Sequence, residues 1–359
     1  MGISSKELDK ILNDPEKVAN FCDLVYVYED QLSIIRKKQG KGFIYKKGNK
    51  KLTHKKTLER IKKLVIPPAW ENVKIATNAN AHLQVIGEDQ KKRKQYLYHE
   101  LWNKIRNSTK FYKMNAFGKA LPVIREKVDN DLKQKGLPKK KVLALIVRLM
   151  DETHIRIGSD HYAKSNNSYG LSTMRTRHLK TVDHKMKFHF VGKKGKKHRI
   201  TIKSKRLQRL ILQCKEIPGW ELFQYYDADQ QHHSIDSGMV NAYIHDLSGD
   251  RFSAKDFRTW AATTLFFESL YMTGIEEDEA KNKTNILQAY DVAAKALGNT
   301  RNVCKKYYIH PEIVRKYKTN EIASYFEGLN RRKEQPYFSK EEGAVLTIIK
   351  DYKIDLDNP

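Results

Sequence analysis

The chain has 359 residues, 40% of them hydrophobic, enough for one large or two ordinary cores. Its 69 Lys and Arg against 42 Asp and Glu leave a formal charge of +27, which points to a polyanionic partner because each phosphate neutralised by Lys or Arg releases condensed counterions. No apolar run approaches the ~18 residues of a membrane span, and the start, MGISSKELDK, has no signal-peptide pattern and only a weak match to a myristoylation signal.

The positive charge is spread along the chain, but Arg36 to Lys63 concentrates thirteen Lys and Arg against one acid, Glu59. Phe43, Ile44, Tyr45, Leu52, Leu58 and Ile61 are interleaved with them, so this run reads as folded basic surface. "GFIYKKGNKKL" predicts a hairpin turning at Gly48-Asn49. "THKKTLERIKKLV" places Leu58, Ile61, Leu64 and Val65 at helical spacing, and Pro67-Pro68 ends the helix. "NVKIAT", "AHLQVIG" and "KQYLYH" read as three short strands, the last two joined by a turn at Asp89–Lys92. The expected fold class is α+β. A small sheet-rich N-terminal domain covers residues 1–100, with its boundary near His99 to Ser108, and a mainly α-helical domain covers 101–359.

In the second domain, Leu121, Ile124, Val128 and Leu132 form one stripe, and "VLALIVRLM" is apolar enough for a buried helix. Strands interrupt the helices at "SYGLSTMRTRHLK" and at the hairpin "MKFHFVGKKGKKHRITI". Further helices are expected at Ser204–Lys215, Ser237–His245, Ser253–Met272, Asp278–Leu297 and Lys340–Tyr352. His232-His233 lies in a polar stretch that reads as a loop, and Glu276-Glu277-Asp278-Glu279 opens a helix, where negative charge suits the dipole. Cys22, Cys214 and Cys304 are odd in number and far apart, which fits a reduced cytoplasmic protein. With no CxxC, HExxH or GxxxxGK[ST], no metal and no cofactor are expected.

The segment "GNTRNVCKKYY" ends in two adjacent tyrosines, Tyr307 and Tyr308, with Arg301, Lys305 and Lys306 ahead of them. Tyrosine attack on a phosphodiester needs guanidinium groups for the charge on the non-bridging oxygens and an acid for the leaving 5′ oxygen. Arg156, in "HIRIGSDHY", follows the buried helix; Lys193 sits on a Gly-flanked hairpin; Lys255 and Arg258 lie on one face of a helix start capped by Ser253 and Asp256. Each of these is common as a structural residue. Their order is not.

Arg156, Lys193, Lys255, Arg258, Asn299 and Tyr308 resemble the active-site series of type IB DNA topoisomerases of the compact bacterial and poxvirus kind. The matching text is "IRIGSDHYAKSNNSYGLSTMRTRHL", "FHFVGKKGKKH", "AKDFRTW" and "ALGNTRNVCKKYYIHP", within a resemblance spanning about residues 35 to 320. The resemblance implies a catalytic domain of the tyrosine recombinase/type IB topoisomerase kind acting on supercoiled duplex DNA without ATP, as a monomer in the cytoplasm, associated with the nucleoid. It implies Tyr308, nine residues after Asn299, as the nucleophile forming a 3′-phosphotyrosyl bond, and leaves Tyr307 without a role. Arg156 and Arg258 would stabilise the phosphorane, Lys193 would protonate the 5′ oxygen, Lys255 would assist proton transfer, and Asn299 would hold a phosphate oxygen. Some members have His at the Asn299 position, so here the contact would come from an uncharged amide. "GEDQKKRKQYLYH" resembles the family segment laid on duplex DNA, which implies contacts from Arg93, Lys94, Gln95, Tyr96 and Tyr98, with Tyr162 in the catalytic domain. A tyrosine recombinase shares this chemistry, but recombinases usually carry a His-x-x-Arg box where this chain has Lys255 and Arg258. A non-catalytic DNA-binding protein would explain the charge and leave the ordered series unexplained.

Overall fold

The computed structural model describes residue 11 and residues 14–249 and 252–354; the signal-peptide and myristoylation readings of Met1–Lys10 fall outside these. The chain forms two compact units, one ending at Tyr112 and one spanning Lys113–Tyr352.

The first unit is built on a six-stranded antiparallel sheet in the order β3-β2-β1-β4-β5-β6, with β1 Ile34–Gln39, β2 Gly42–Lys47, β3 Lys50–Lys51, β4 Glu71–Ile75, β5 Leu83–Glu88 and β6 Lys94–Tyr98. The β2–β3 connection turns at Gly48-Asn49, as the sequence predicts, with Gly48 at φ +57°. The expected helix is Lys55–Lys63, and its Ile61 joins Ile34, Val73, Ile75 and Val85 in the core on one side of the sheet. Two of the thirteen clustered cations are structural. Arg36 is buried and donates to the carbonyls of Pro67 (3.1 Å) and Trp70 (2.6 Å). Arg60 donates to Gln84 Oε1 and the Ala76 carbonyl, both at 2.5 Å. The Asp89–Lys92 turn forms as expected, because the Asp89 carboxylate accepts from the Lys91 and Arg93 amides (2.9 and 3.0 Å).

The division between the units falls inside the helix Glu100–Asp131. Leu121, Ile124 and Val128 on that helix, and Leu132 just beyond it, are buried as their spacing requires. The buried helix is Lys139–Thr153. A charged cluster ties both helices to Lys340–Ile349: Arg125 grips Asp151 through Nε and Nη2 (2.7 and 3.0 Å) and Glu342 through Nη1 and Nη2 (2.8 and 2.9 Å). Glu342 also accepts from the Trp260 indole at 2.8 Å. Removing one partner would leave a buried charge uncompensated, at a cost of about 3–5 kcal/mol. The end of the chain, which carries no sequence motif, thereby braces the helix Ala254–Thr273 that bears Trp260.

Four expectations change. Most of "SYGLSTMRTRHLK" is two 3₁₀ turns, Leu171–Thr173 and Thr176–His178, and the strand β7 covers only Leu179–Val182. The reason is that the Leu171 and Ser172 amides donate to the carbonyls of Arg156 (2.9 Å) and Ile157 (2.7 Å), not to a neighbouring strand. His232-His233 is not loop but part of the strand β11 His232–Ser234, paired with β10 Gln224–Tyr226; Gln224 and Asp227 hold the two imidazoles at 2.9 and 2.6 Å. The last described helix stops at Ile349, short of Tyr352, and only Glu279 of the acidic cluster lies inside its helix, Glu279–Leu297, with Asp278 as cap. The hairpin β8 Lys185–Val191 and β9 Lys197–Thr201 forms as predicted, with Met186, Phe188 and Phe190 facing inward.

Candidate active site

Arg156 follows the C-terminus of the buried helix, where His154 adopts a left-handed conformation (φ +56°) and turns the chain sharply. Its backbone is clamped by the Leu171 amide, and Gly170 lies so close that a Cβ there would stand 2.4 Å from the Arg156 carbonyl oxygen. The Arg156 guanidinium donates through Nη2 to Asn299 Oδ1. That bond also orients the amide: Asn299 Nδ2 then points away, buried beside the weakly accepting Cys304 thiol, with no oxygen acceptor among the described residues.

Arg258 sits in the first turns of Ala254–Thr273, whose start is the predicted capping box, with Asp256 Oδ2 accepting from the Ser253 amide at 2.8 Å and its hydroxyl at 2.9 Å. Arg258 is 4% exposed. Its Nη1 donates to the His154 carbonyl and its Nη2 to the Leu297 carbonyl (2.9 Å), so it stitches together the chain segments that carry Arg156 and Asn299. Its Nε is buried without an acceptor among the described residues. Arg258 Nε and Asn299 Nδ2 are thus two buried donors without an oxygen acceptor among the described residues.

Tyr308 ends the short helix Arg301–Tyr307 that Thr300 caps. Its carbonyl accepts from the Thr263 hydroxyl at 3.0 Å, and Thr263 Oγ1 in turn accepts from the His310 amide at 3.1 Å, which fixes the Tyr308 backbone to the Arg258 helix. The Arg258 Cζ lies 5.6 Å from the Tyr308 ring centroid. Burial alone would raise the phenol; the charges of Arg258 and Arg156, with Lys255 behind them, outweigh it and hold the hydroxyl below its ordinary value. Arg258 is lowered too, by burial and then by the nearby Arg156 charge. Tyr307 points elsewhere: it is exposed, with Lys306 Nζ over its ring at 5.5 Å.

Lys193 opens the tight turn between β8 and β9 and is exposed, yet it lines the same recess as Arg156, Arg258, Tyr169 and Leu297. Lys255 is exposed in the first turn of its helix. The structure thus pairs Arg156 with Asn299 and Arg258 with Tyr308, puts Lys193 on the recess that Arg156 and Arg258 line, and leaves Lys255 exposed with its charge acting on Tyr308. Of the sequence-predicted DNA contacts, Tyr162 is exposed on the helix Asp160–Asn166. Those of the first unit cluster on and beside β6, already bonded to acids: Arg93 and Gln95 to Asp89, and Lys94 and Tyr96 to Glu29 at 2.7 and 2.9 Å. Tyr98 stacks on Tyr96 with centroids 6.0 Å apart.

Three residues at the site escaped sequence reasoning: His198, Tyr169 and Cys304. For His198 a signal existed, since His198, Ile200 and Ile202 alternate as inward-facing strand positions do. Among the described residues no group of three or more His, Cys, Asp or Glu could hold a metal, and no helix is long and apolar enough to cross a membrane.

Residues 73–335 match the family described as eukaryotic DNA topoisomerase I, catalytic core, and residues 42–89 match the bacterial DNA topoisomerase IB N-terminal domain. The DNA topoisomerase 1B of Acanthamoeba polyphaga mimivirus is 31% identical over 332 residues, covering 90% of this chain and 96% of the viral protein. The DNA topoisomerase 1 of rabbit fibroma virus is 25% identical, covering 64% of this chain and 70% of its own length, and the vaccinia virus enzyme is 22% identical over 70% and 76%. The chain belongs to the type IB DNA topoisomerases.

Proposed function

We propose that this chain relaxes supercoiled duplex DNA by cutting and rejoining one strand through Tyr308. The Tyr308 oxygen bonds to phosphorus as its proton passes to solvent, the bond from phosphorus to the 5′ oxygen breaks, and Lys193 supplies the proton that oxygen takes up. The products are a 3′-phosphotyrosyl bond and a free 5′-hydroxyl strand, which rotates under supercoil torque and then attacks back. Arg156 and Arg258 stabilise the phosphorane, Asn299 Nδ2 holds a non-bridging oxygen, and Lys255 assists proton transfer. The phosphodiester energy is stored in the tyrosyl bond, so the cycle needs no nucleotide.

The observation that carries this reading is the pairing of a phenol lowered by two guanidinium charges with two buried donors that lack acceptors. The Lys255-x-x-Arg258 pair and the match to a bacterial topoisomerase IB N-terminal domain favour a topoisomerase over a recombinase. We further assign the protein as a monomer in the cytoplasm, bound to nucleoid DNA through its basic surface, with Arg93, Lys94, Gln95, Tyr96, Tyr98 and Tyr162 among the contacts.

Plasmid relaxation tests the function. Activity is expected in EDTA without nucleotide, with affinity falling roughly 10³-fold between 50 and 200 mM salt if about six phosphates are contacted. Loss of relaxation in EDTA and recovery with magnesium would contradict the mechanism.

A further inference from the structure

His198 has no role in the reaction as written, yet it sits between the Lys193 hairpin and the Asn299 corner. Its ring stacks on Phe190, its cross-strand partner, with centroids 4.9 Å apart and planes 12° apart. Two glycines meet its edge. A Cβ on Gly192 would lie 2.7 Å from His198 Nε2, and a Cβ on Gly298 would lie 2.4 Å from Cε1. Gly192 immediately precedes Lys193, and Gly298 immediately precedes Asn299. The imidazole therefore fills the gap between the hairpin that presents Lys193 and the corner that presents Asn299. Burial and the surrounding charges of Arg156, Lys196 and Arg258 disfavour its protonated form, so the contact is one of shape and not of charge.

We infer that His198 is a positioning residue: seated in the notch formed by Gly192 and Gly298, its ring holds the Lys193 hairpin in register with the phosphate corner, so that the Lys193 amine reaches the leaving 5′ oxygen. This rests on Lys193 being the general acid. Charge could not do the job, because Lys194, Lys196 and Lys197 on the same tip are exposed and chemically equivalent to Lys193. What sets Lys193 apart is its place beside the notch. A misplacement of about 1 Å of a reacting group costs on the order of 10²-fold in rate.

The test is single-turnover cleavage by the full chain on two duplexes, one with the ordinary 5′ oxygen and one with sulfur at that bridging position, which leaves as a thiolate without needing a proton. His198→Ala is expected to slow cleavage about 10–100-fold on oxygen and to recover most of that loss on sulfur, with unchanged DNA affinity. Gly192 has φ −96°, which alanine tolerates, so Gly192→Ala acts by displacing the ring and is expected to reproduce the defect. The double variant Gly192→Ala/His198→Ala is expected to be no slower than the slower single, because with the ring gone the added methyl meets nothing nearer than Phe190 Cε2, at an ordinary contact distance of 3.6 Å. Thermal unfolding of each variant identifies any that fails to fold, and Gly192→Ala keeps the test open if His198→Ala does. Parental rates for both single variants, equal slowing on both substrates, or additive losses in the double variant would overturn the positioning role. Lys193→Ala, run in parallel, separates the two levels: if it is equally slow on oxygen and sulfur, the acid assignment itself fails.

Discussion

The Arg156–Arg258–Asn299–Tyr308 corner and the Lys193 hairpin, which we propose serve one reaction, are built in opposite ways. In the corner, Arg258 is 4% exposed, and its two terminal nitrogens are committed to the His154 and Leu297 carbonyls before any substrate arrives. Arg156 is bonded to Asn299, and the Tyr308 backbone is tied through Thr263 to the Arg258 helix. Lys193, by contrast, is exposed on a turn of three residues between two strands. A preorganised charge site gains from burial, since donors fixed in a low-dielectric environment need not reorganise as charge develops. A proton donor on an exposed turn gains reach instead, since it must come within hydrogen-bond distance of one leaving oxygen. In the proposed site the binding half is thus buried and fixed, and the delivering half is exposed.

The sharpest break is at the nucleophile. Tyr308→Phe is expected to keep DNA binding and lose relaxation altogether, at least 10⁴-fold, because no neighbouring group supplies the covalent step. Tyr307→Phe, one residue away and facing solvent, is expected to keep most activity. Relaxation rate and adduct formation measure both; an inactive Tyr307→Phe would mean that the register is off by one.

Next comes the delivering half. Lys193→Ala is expected to slow cleavage about 10²–10⁴-fold, the range of a lost general acid. Lys194→Ala, Lys196→Ala and Lys197→Ala on the same tip should change only affinity and its salt dependence. If the four variants were equivalent in single-turnover cleavage, the hairpin would be a charged surface and no more.

The binding half responds to shape as well as charge. Arg258→Lys keeps the charge but cannot reach two carbonyls and a phosphate at once, so a loss of about 10²–10³-fold is expected, together with a lower Tm. A lysine variant with parental activity would show that the carbonyl bonds are incidental.

The smallest effect probes the frame behind that corner. Burial, then the charges of Glu341 and Glu342, pushes the Glu268 carboxyl up to about 7. Because its folded value lies above the ordinary 4.5, the folded state binds the extra proton and stability falls as pH rises from about 4.5 to about 7. Glu268→Gln is expected to match the parent near pH 5 and to exceed it near pH 8 by about 1 kcal/mol, a figure discounted for the side chain's partial exposure. Denaturant melts at the two pH values measure it; a gain at pH 5 equal to that at pH 8 would contradict the assignment.

Much of this was legible in the chain, and for identifiable reasons. Helices with a single apolar stripe, such as the one through Leu121, Ile124 and Val128, announce themselves because burial on one face is a local property of spacing. The order of Arg156, Lys193, Arg258, Asn299 and Tyr308 was legible through resemblance, not through any single motif. What stayed hidden depends on partners far away in sequence. Leu171 and Ser172 form a 3₁₀ turn because their amides meet the Arg156 loop, and Arg36 is structural because it meets carbonyls some thirty residues on. Glu342 braces Arg125 and Trp260 from a stretch with no motif, and His198 looked like one more polar residue in a lysine-rich turn.

The most direct test of the central claim is to trap the covalent complex and find its attachment point. A duplex nicked so that the cleaved 5′ strand diffuses away is incubated with the full chain in EDTA, and the adduct is digested and mapped by mass spectrometry. A 3′-phosphonucleotide on Tyr308 is expected. An adduct on Tyr307, a 5′ linkage, or no adduct from a folded, DNA-binding protein would contradict it.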